Sequence, residues 1–267
     1  MSDTKKDSWH DLRAYTTARI AQGRSGVSLP IAANLRFQLD HARARDAVHT
    51  AFNIHSFIDS YLAAYPSAAA PLCVASAAES RGQYLQRPDL GRQLPEAQWQ
   101  QLRQSLKSEC GSDIAVVVAD GLSSAAVQRH ALPLLALLLP AIATQGFSLA
   151  PLCIATQARV ALGDDIGEAI KAKLLVMLIG ERPGLSSPDS LGMYITYAPQ
   201  RACTDAQRNC ISNIRDGGLS YQQACDTGIY LIATAMKKAQ TGVSLKDESM
   251  LLDSQTATAI PFFKTSA

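Results

Sequence analysis

The sequence KLLVMLIGERPGLSSPDSLGMYITYAPQRACTDAQRNCISNIRDGG occupies residues 173–218. Near its start, residues 174–179 form a short continuous run of Leu, Val, Met and Ile, which is typical of a strand covered on both faces. A Gly-Glu-Arg-Pro-Gly turn follows at once, then a second apolar stretch and a Cys-Ile-Ser-Asn loop. Open α/β sheets bind ligands beyond the carboxyl ends of their strands. The segment therefore predicts a binding edge.

Other segments continue an alternation of strands and helices. Residues 114–119 (IAVVVA) predict a buried strand, and the Asp-Gly-Leu-Ser-Ser that follows leads into a helix rich in Ala and Leu. Ser123 or Ser124 is the predicted N-cap of that helix. Further predicted elements are a short strand around 147–153, a helix over 164–173 and a long helix over 221–239. This alternation indicates an α/β fold with a mostly parallel sheet and right-handed crossovers.

The first 71 residues predict a helical region without strands. Apolar residues at helical spacing favour helices over 11–21 and 32–48, joined by a loop with two glycines around Arg24. Those glycines allow the backbone to approach a partner or an anion closely, and an ordinary turn with a solvated arginine is the alternative. In residues 51–71, aromatic residues at four-residue spacing indicate a packed helix face. Residues 1–71 and 72–267 are the two predicted domains.

Composition restricts the classes of function. The chain has 267 residues, a net charge of +2, 47% hydrophobic and 18% charged residues. The low charge hints at a surface buried against a partner, although the many alanines raise the apolar fraction too. No Lys/Arg stripe interleaved with aromatics appears, so nucleic acid is not an expected partner. The longest apolar stretch, residues 132–143, contains two prolines and is too short for a bilayer, so no membrane is expected.

The cysteines and the polar start of the chain predict a cytoplasmic protein. Six cysteines are scattered without a CxxC pair or a nearby histidine, which indicates free thiols rather than zinc or disulfides. Residues 1–13 lack the apolar core of a signal peptide. A reducing cytoplasm is the expected location.

Common catalytic motifs are missing from the sequence. Neither a dinucleotide G-x-G-x-x-G, nor a Walker loop, nor a G-x-S-x-G elbow is present. The segment from Asp120 to Ser124 suits either an anion at a helix N-terminus or a plain N-cap. Cys210 has no basic neighbour that would activate its thiol. On the stiff turn, Glu181 and Arg182 form either a local ion pair or hydrogen bonds to a ligand rich in amides, and the turn favours the ligand.

A set of ordered motifs resembles one enzyme family. Residues 158–218 carry A-R-V, D-D-I-G-E, G-E-R-P-G-L, C-I-S-N-I and G-G. Earlier stretches agree, namely T-A-R-I-A-Q-G-R-S-G, L-R-F-Q-L-D-H-A-R-A-R-D, Y-L-x-R-P-D-L-G-R and V-x-D-G-L-S. From about Leu12 to Lys246 the chain resembles the small (light) subunit of ethanolamine ammonia-lyase.

The resemblance implies a Rossmann-like domain, with helices on both faces of the sheet, that helps to bind adenosylcobalamin at an interface with the catalytic large (heavy) subunit. It implies a hetero-oligomer of paired subunits that converts ethanolamine to acetaldehyde and ammonia by a radical mechanism. The radical chemistry belongs to the large subunit, so this chain alone is expected to be inactive. Val160 in A-R-V, Glu181 in G-E-R-P-G and Cys210 in N-C-I-S-N match the positions that contact the cofactor.

The same resemblance bears on metal ligation and location. The D-x-H-x-x-G signature of a cobalt-ligating histidine is missing, so no metal ligand is expected in this chain. Packaging in a bacterial microcompartment is a further possibility, and the N-terminal extension, which is shorter than in some members of the family, weighs against it. Two alternatives also remain open: a free-standing α/β enzyme that uses Cys210 or Asp120, and a purely structural assembly subunit.

Overall fold

The structure is a computed structural model that describes residue 7 and residues 9–105 and 111–247. Six strands form one sheet, in the spatial order first, third, second, fourth, fifth, sixth. The strands are β1 (Leu72–Ala75), β2 (Ile114–Ala119), β3 (Cys153–Thr156), β4 (Leu174–Gly180), β5 (Leu191–Tyr197) and β6 (Arg208–Ile214). β1 to β4 pair in parallel, while β5 and β6 add an antiparallel edge. The α/β class and the mostly parallel sheet are confirmed.

Within the described residues, seven α-helices surround the sheet and precede it. They are α1 (Ile31–His49), α2 (Ile54–Ala64), α3 (Arg81–Gln86), α4 (Glu96–Ser105), α5 (Ser124–Thr144), α6 (Leu162–Ala169) and α7 (Tyr221–Lys238). One apolar core contains residues of α2, α5 and α7 against one sheet face. A second core contains residues of α4 and α6 against the other face. The helices therefore cover both faces, as expected.

Two glycines bring the carboxyl end of β4 against the start of α5. A Cβ at Gly180 would lie 2.1 Å from the Ser123 carbonyl oxygen, and one at Gly121 would lie 2.2 Å from the Gly180 carbonyl oxygen. Neither position has room for a side chain. Ser123 is the N-cap, because its hydroxyl accepts a hydrogen bond from Ala126 N. The Ser123 hydroxyl also donates to the Pro188 carbonyl, which ties the loop after β4 to α5.

Helix α5 is long and apolar enough, by length and composition, to cross a membrane. It is the one described helix with this property, and its 21 residues extend well beyond the predicted apolar stretch 132–143. Its inward face, including Leu134, Leu135 and Leu138, is fully buried against the sheet. A core helix of a globular fold passes the same test.

Several predicted boundaries were wrong. The strand predicted at 147–153 is β3 at Cys153–Thr156, because Pro151 cannot donate to a ladder between two neighbouring strands. The helix predicted at 11–21 is only a 3-10 turn, His10–Ala14, whose residues are largely exposed. The helices predicted at 32–48 and 221–239 are confirmed as α1 and α7. The division into two domains stays a prediction.

Candidate functional site

The candidate site is an open part of the sheet, which we call the open half-face. It consists of Gly192 and Tyr194 on β5 with Cys210 and Ser212 on β6. Tyr194 pairs with Met177 of β4, whose side chain lies in the core under α6. Both Cys210 and Ser212 are exposed, whereas Ile211 and Ile214 point the other way into the core with α7. Helix α6 thus covers the parallel strands and leaves this antiparallel part open.

Glu181 stands at the upper end of the open half-face. Its backbone N–H donates to the Ser190 carbonyl at 2.9 Å, immediately after β4 ends. The Ser190 hydroxyl and the Asn213 backbone N–H both donate to its Oε2, the latter at 3.2 Å. The other oxygen, Oε1, lies over Gly192, 3.0 Å from where a Cβ would be. The carboxylate is therefore fixed by one oxygen, while Oε1 accepts no hydrogen bond from the described residues.

Tyr194 and Cys210 form the centre of the open half-face. The Cys210 thiol lies 3.2 Å from the Ser212 hydroxyl. Burial, the hydrogen bond and close contact with Cys210, and the negative charge of Glu181 raise the pKa of Tyr194 above its ordinary value of 10.0. Tyr194 is therefore a neutral phenol at physiological pH. The arrangement offers a carboxylate, a phenol, a hydroxyl and a thiol on one surface, and Gly192 is the position over which the Glu181 carboxylate and the Tyr194 ring pack.

The Cys-Ile-Ser-Asn segment is part of strand β6, and the prediction of a loop was wrong. Its polar residues face outward because none of the described helices covers that side, while Ile211 is buried. Asn213 closes the segment with φ of 62°, a left-handed conformation that asparagine tolerates better than most residues. This conformation accompanies the Asn213 N–H bond to Glu181. The N-C-I-S-N and G-E-R-P-G motifs are thus in direct contact.

An ion pair closes the lower end of the open half-face. Arg208 of β6 donates to Asp164 of α6, and both side chains are only 2% exposed. Arg208 also donates to the Cys203 carbonyl at 3.0 Å. Burial raises the pKa of Asp164 from 3.8 to about 6, although the Arg208 guanidinium opposes the shift. The pair ties α6 to the antiparallel edge.

Val160 lies on the loop between β3 and α6, at the same edge of the sheet as Glu181. It is half-buried against the α6 core, and its carbonyl accepts from Gly163 N at 3.0 Å. β3 and β4 are separated by β2, so the ends of these two strands lie about 10 Å apart. The structure therefore brings Glu181 and Cys210 onto one surface and places Val160 on a separate loop, at the same edge of the sheet as Glu181.

Asp120 fixes the start of the loop that carries Val160. Its carboxylate accepts from Gln157 N at 2.9 Å and from Ala158 N at 3.0 Å, and Arg81 lies 3.6 Å away. Burial raises the pKa of Asp120, against these hydrogen bonds and the Arg81 charge. Both oxygens are occupied by the protein itself. Asp120 is a structural clamp rather than a free acid or base.

The second charged residue of the turn has no such role. Arg182 is exposed and makes no ion pair with Glu181 within the described chain. The partners of Glu181 are instead Ser190, nine residues away, and Asn213. Sequence reasoning missed Ser190, Tyr194 and Ser212 as members of the site. The apolar Ile211 and Ile214 on either side of Ser212 could have indicated a strand with Ser212 facing outward, whereas no signal in the sequence marks Ser190 or Tyr194.

A model of a known protein family matches almost the whole chain, including this edge of the sheet. Residues 6–246 match the family model described as "Ethanolamine ammonia-lyase light chain (EutC)". The chain belongs to the ethanolamine ammonia-lyase light-chain family. The match includes the Val160 loop, the Glu181 turn and β6.

Curated relatives cover nearly the whole light chain. The chain is 52% identical over 247 residues to the ethanolamine ammonia-lyase small subunit of Pseudomonas putida strain W619, covering 92% of this chain and 90% of the relative. It is 51% identical over 249 residues to that of Azotobacter vinelandii strain DJ, covering 93% and 91%. The same subunit of Xanthomonas campestris pv. campestris strain ATCC 33913 is 51% identical over 255 residues, covering 94% and 93%. The name small subunit implies a larger partner.

Proposed function

We propose that this light chain binds adenosylcobalamin at its interface with the large subunit of ethanolamine ammonia-lyase. The complex would convert ethanolamine to acetaldehyde and ammonia. The free Oε1 of Glu181 is the observation that supports the cofactor role most. A carboxylate already fixed through Oε2 needs no reorganisation to accept an amide N–H through Oε1.

The residues present fit the rim of a corrin. That rim carries acetamide and propionamide groups, so it needs scattered acceptors, donors and close apolar surface rather than one reactive side chain. Glu181 Oε1 provides an acceptor and Ser212 provides an exposed hydroxyl, while the lack of a side chain at Gly192 lets the Glu181 carboxylate lie close over β5. Val160 would add an apolar contact from the neighbouring loop. We propose Val160, Glu181 and Cys210 as cofactor contacts.

The light chain itself would bind and orient rather than react. When bound, the cofactor supplies the radical chemistry, and the large subunit would supply the substrate site. The described chain shows no group of three or more His, Cys, Asp or Glu side chains suited to a metal ion. Both oxygens of Asp120 are occupied, and the neighbours of Cys210 described above include no base. These contacts argue against a free-standing enzyme that uses either residue.

The surface of the N-terminal region supports a large partner. Helix α1 has 19 residues, of which only Ala47 is buried. Several large apolar side chains in and near it face outward. These are Tyr15, Val27, Leu29, Ile31, Leu35, Phe37 and Leu39. So many exposed large apolar side chains within one segment favour a protein interface. We therefore propose a hetero-oligomer of paired large and small subunits.

Reconstitution tests the proposed function. The chain is mixed with a separately purified large subunit, adenosylcobalamin and ethanolamine, and acetaldehyde release is measured. We expect activity in the mixture and none with either subunit alone. A folded, mixed complex that releases no acetaldehyde would sink the proposal, and activity of this chain alone would favour the free-standing enzyme.

Location follows from the same proposal. We propose that the complex works in the cytoplasm, with packaging in a bacterial microcompartment as the variant to test. Fractionation of the native source, with blotting for this chain, distinguishes a shell-bound from a dispersed complex.

A further inference from the structure

A small polar cavity lies on the α5 side of the sheet, at the carboxyl ends of β2 and β3. Its volume is about 270 Å³, and its walls include residues 49–52, Arg81, Asp120, Ser124 and Gln157. Carboxyl ends of parallel strands are where α/β sheets hold ligands. The cavity is separate from the open half-face, which lies on the α6 side.

Arg81 is held rigidly at this cavity with one nitrogen unused. Its Nε donates to the Val48 carbonyl at 2.7 Å, and its Nη1 donates to the Gly121 carbonyl at 2.8 Å. The guanidinium also stacks over the Tyr84 ring, 4.7 Å from its centroid. Its Nη2 is buried and has no hydrogen-bond partner among the described residues. Such a buried donor requires an explanation, because native structures leave few of them.

Gln157 provides an unused acceptor in the same cavity. Its Oε1 is buried and likewise has no partner among the described residues. The Gln157 backbone has φ of 52°, in the left-handed region, and its N–H is fixed by Asp120. Strained backbone of this kind concentrates at ligand sites. Two residues that line one cavity thus each carry a buried polar atom, one a donor and one an acceptor, without a partner among the described residues.

We propose that this cavity binds a neutral primary carboxamide. The amide carbonyl accepts from Arg81 Nη2, and the amide NH₂ donates to Gln157 Oε1, so that a single group satisfies both atoms. Arg81 and Asp120, 3.6 Å apart, carry opposite charges. A neutral group therefore suits the cavity better than an anion or a cation.

The carboxamide has two candidate sources, a side chain of the corrin rim or a free small amide. Gln157 precedes Val160 by three residues, so their Cα atoms lie within about 11 Å of each other. An arm of a ligand that contacts Val160 could reach that far. The corrin source rests on the proposed function, whereas the free amide does not.

Gln157→Met tests the cavity, with Gln100→Met on the exposed surface of α4 as the matched control. Methionine keeps the length of the side chain and removes the acceptor. We expect the ligand-free Gln157→Met chain to be at least as thermally stable as the parent, because a buried unpaired acceptor is removed. A lower melting temperature would show that Oε1 has a partner such as trapped water, and would overturn the proposal.

Two binding arms identify the source. In one, the complex with the large subunit is titrated with cyanocobalamin, and in the other this full chain alone is titrated with propionamide and followed by NMR. Weakening by about fivefold in Gln157→Met but not in Gln100→Met, in the first arm, supports the corrin source. Propionamide binding that Gln157→Met weakens supports a free amide. If the parent complex binds cyanocobalamin and Gln157→Met changes neither arm, the cavity holds water only and the inference fails. If the parent complex binds no cyanocobalamin, the proposed function fails, and the propionamide arm alone decides the cavity.

Discussion

The parallel and antiparallel parts of the sheet are covered differently. Every residue of β2 and β4 is buried, with α5 on one face and α4 and α6 on the other. β6 is buried only toward α7, while Cys210 and Ser212 face outward. The parallel part of the sheet is thus buried on both faces, and the antiparallel part is buried on one face. In a family whose members are named small subunits, we propose that another chain and a ligand cover this open face.

The largest expected effect tests the boundary between these parts. Arg208→Met leaves Asp164 buried without its ion-pair partner, which lowers the free energy of unfolding by about 4 kcal/mol at pH 7.5. Arg129→Met, which breaks an ion pair whose arginine side chain is 64% exposed, should cost less than about 1 kcal/mol. Urea unfolding followed by circular dichroism measures both. Equal effects would contradict a buried closure at Arg208.

The ion pair between Asp164 and Arg208 also predicts how the free energy of unfolding changes with pH. The folded-state pKa of Asp164 is about 6 against an ordinary 3.8, so folding favours its protonated form and this group reduces stability as pH rises between those values. Loss of the Arg208 charge raises that pKa further. The deficit of Arg208→Met should therefore shrink by about 1 kcal/mol or more between pH 7.5 and pH 5. A stability deficit of Arg208→Met that grows toward pH 5 would contradict a raised pKa of Asp164 in the folded state.

A second pair of variants measures the contrast between core and open surface. Leu178→Ala in β4 creates a cavity in a fully buried position and should lower the free energy of unfolding by about 3 kcal/mol. Ser212→Ala on the open half-face should change it by less than about 0.5 kcal/mol. Urea unfolding of the two single variants gives the comparison. A loss above about 1.5 kcal/mol for Ser212→Ala would mean that this face is not open.

The smallest effect is expected at the opposite edge of the sheet. Asp113, before β2, accepts from Ser148 and from Lys173 Nζ at 2.8 Å. These hydrogen bonds lower the pKa of Asp113 from 3.8 to about 2, so they stabilise the fold above pH 3.8 and are lost as pH falls toward 2. Because the Lys173 side chain of this ion pair is 63% exposed, Asp113→Asn should lower the melting temperature by only about 1 to 2 °C at pH 6. The difference between variant and parent should vanish near pH 2, and a difference that persists there would exclude a charge effect.

Local sequence patterns predicted the parallel part of the sheet and its helices well. The apolar runs of β2 and β4, the Ser123 cap and the amphipathic α7 all follow from neighbours in sequence. β3 was misplaced because its position depends on ladder pairing beside Pro151. β1, only four residues long, was not predicted at all. Short strands depend on partners that a single sequence does not display.

The site was predicted only in part, for a related reason. The motifs marked Glu181 and Cys210, and the structure places both at one end of the antiparallel edge. The contacts that fix Glu181 come from Ser190 and Asn213, which reach it through the bulged pairing of β5 and β6. β6 was taken for a loop because half of its residues are polar, and the polar side chains Ser212 and Asn213 are left uncovered by the described part of the chain. An open binding surface has the composition of a loop.

The most direct test of the central claim is cobalamin binding by the Glu181→Ala complex. The complex with the large subunit is titrated with adenosylcobalamin, beside the parent and Asp226→Ala, which removes one exposed charge on α7 at the opposite face. Loss of one charge-assisted hydrogen bond predicts a dissociation constant about tenfold higher for Glu181→Ala and unchanged for Asp226→Ala. A dissociation constant equal to that of the parent, in a complex that assembles normally, would contradict a cofactor-binding role for this face.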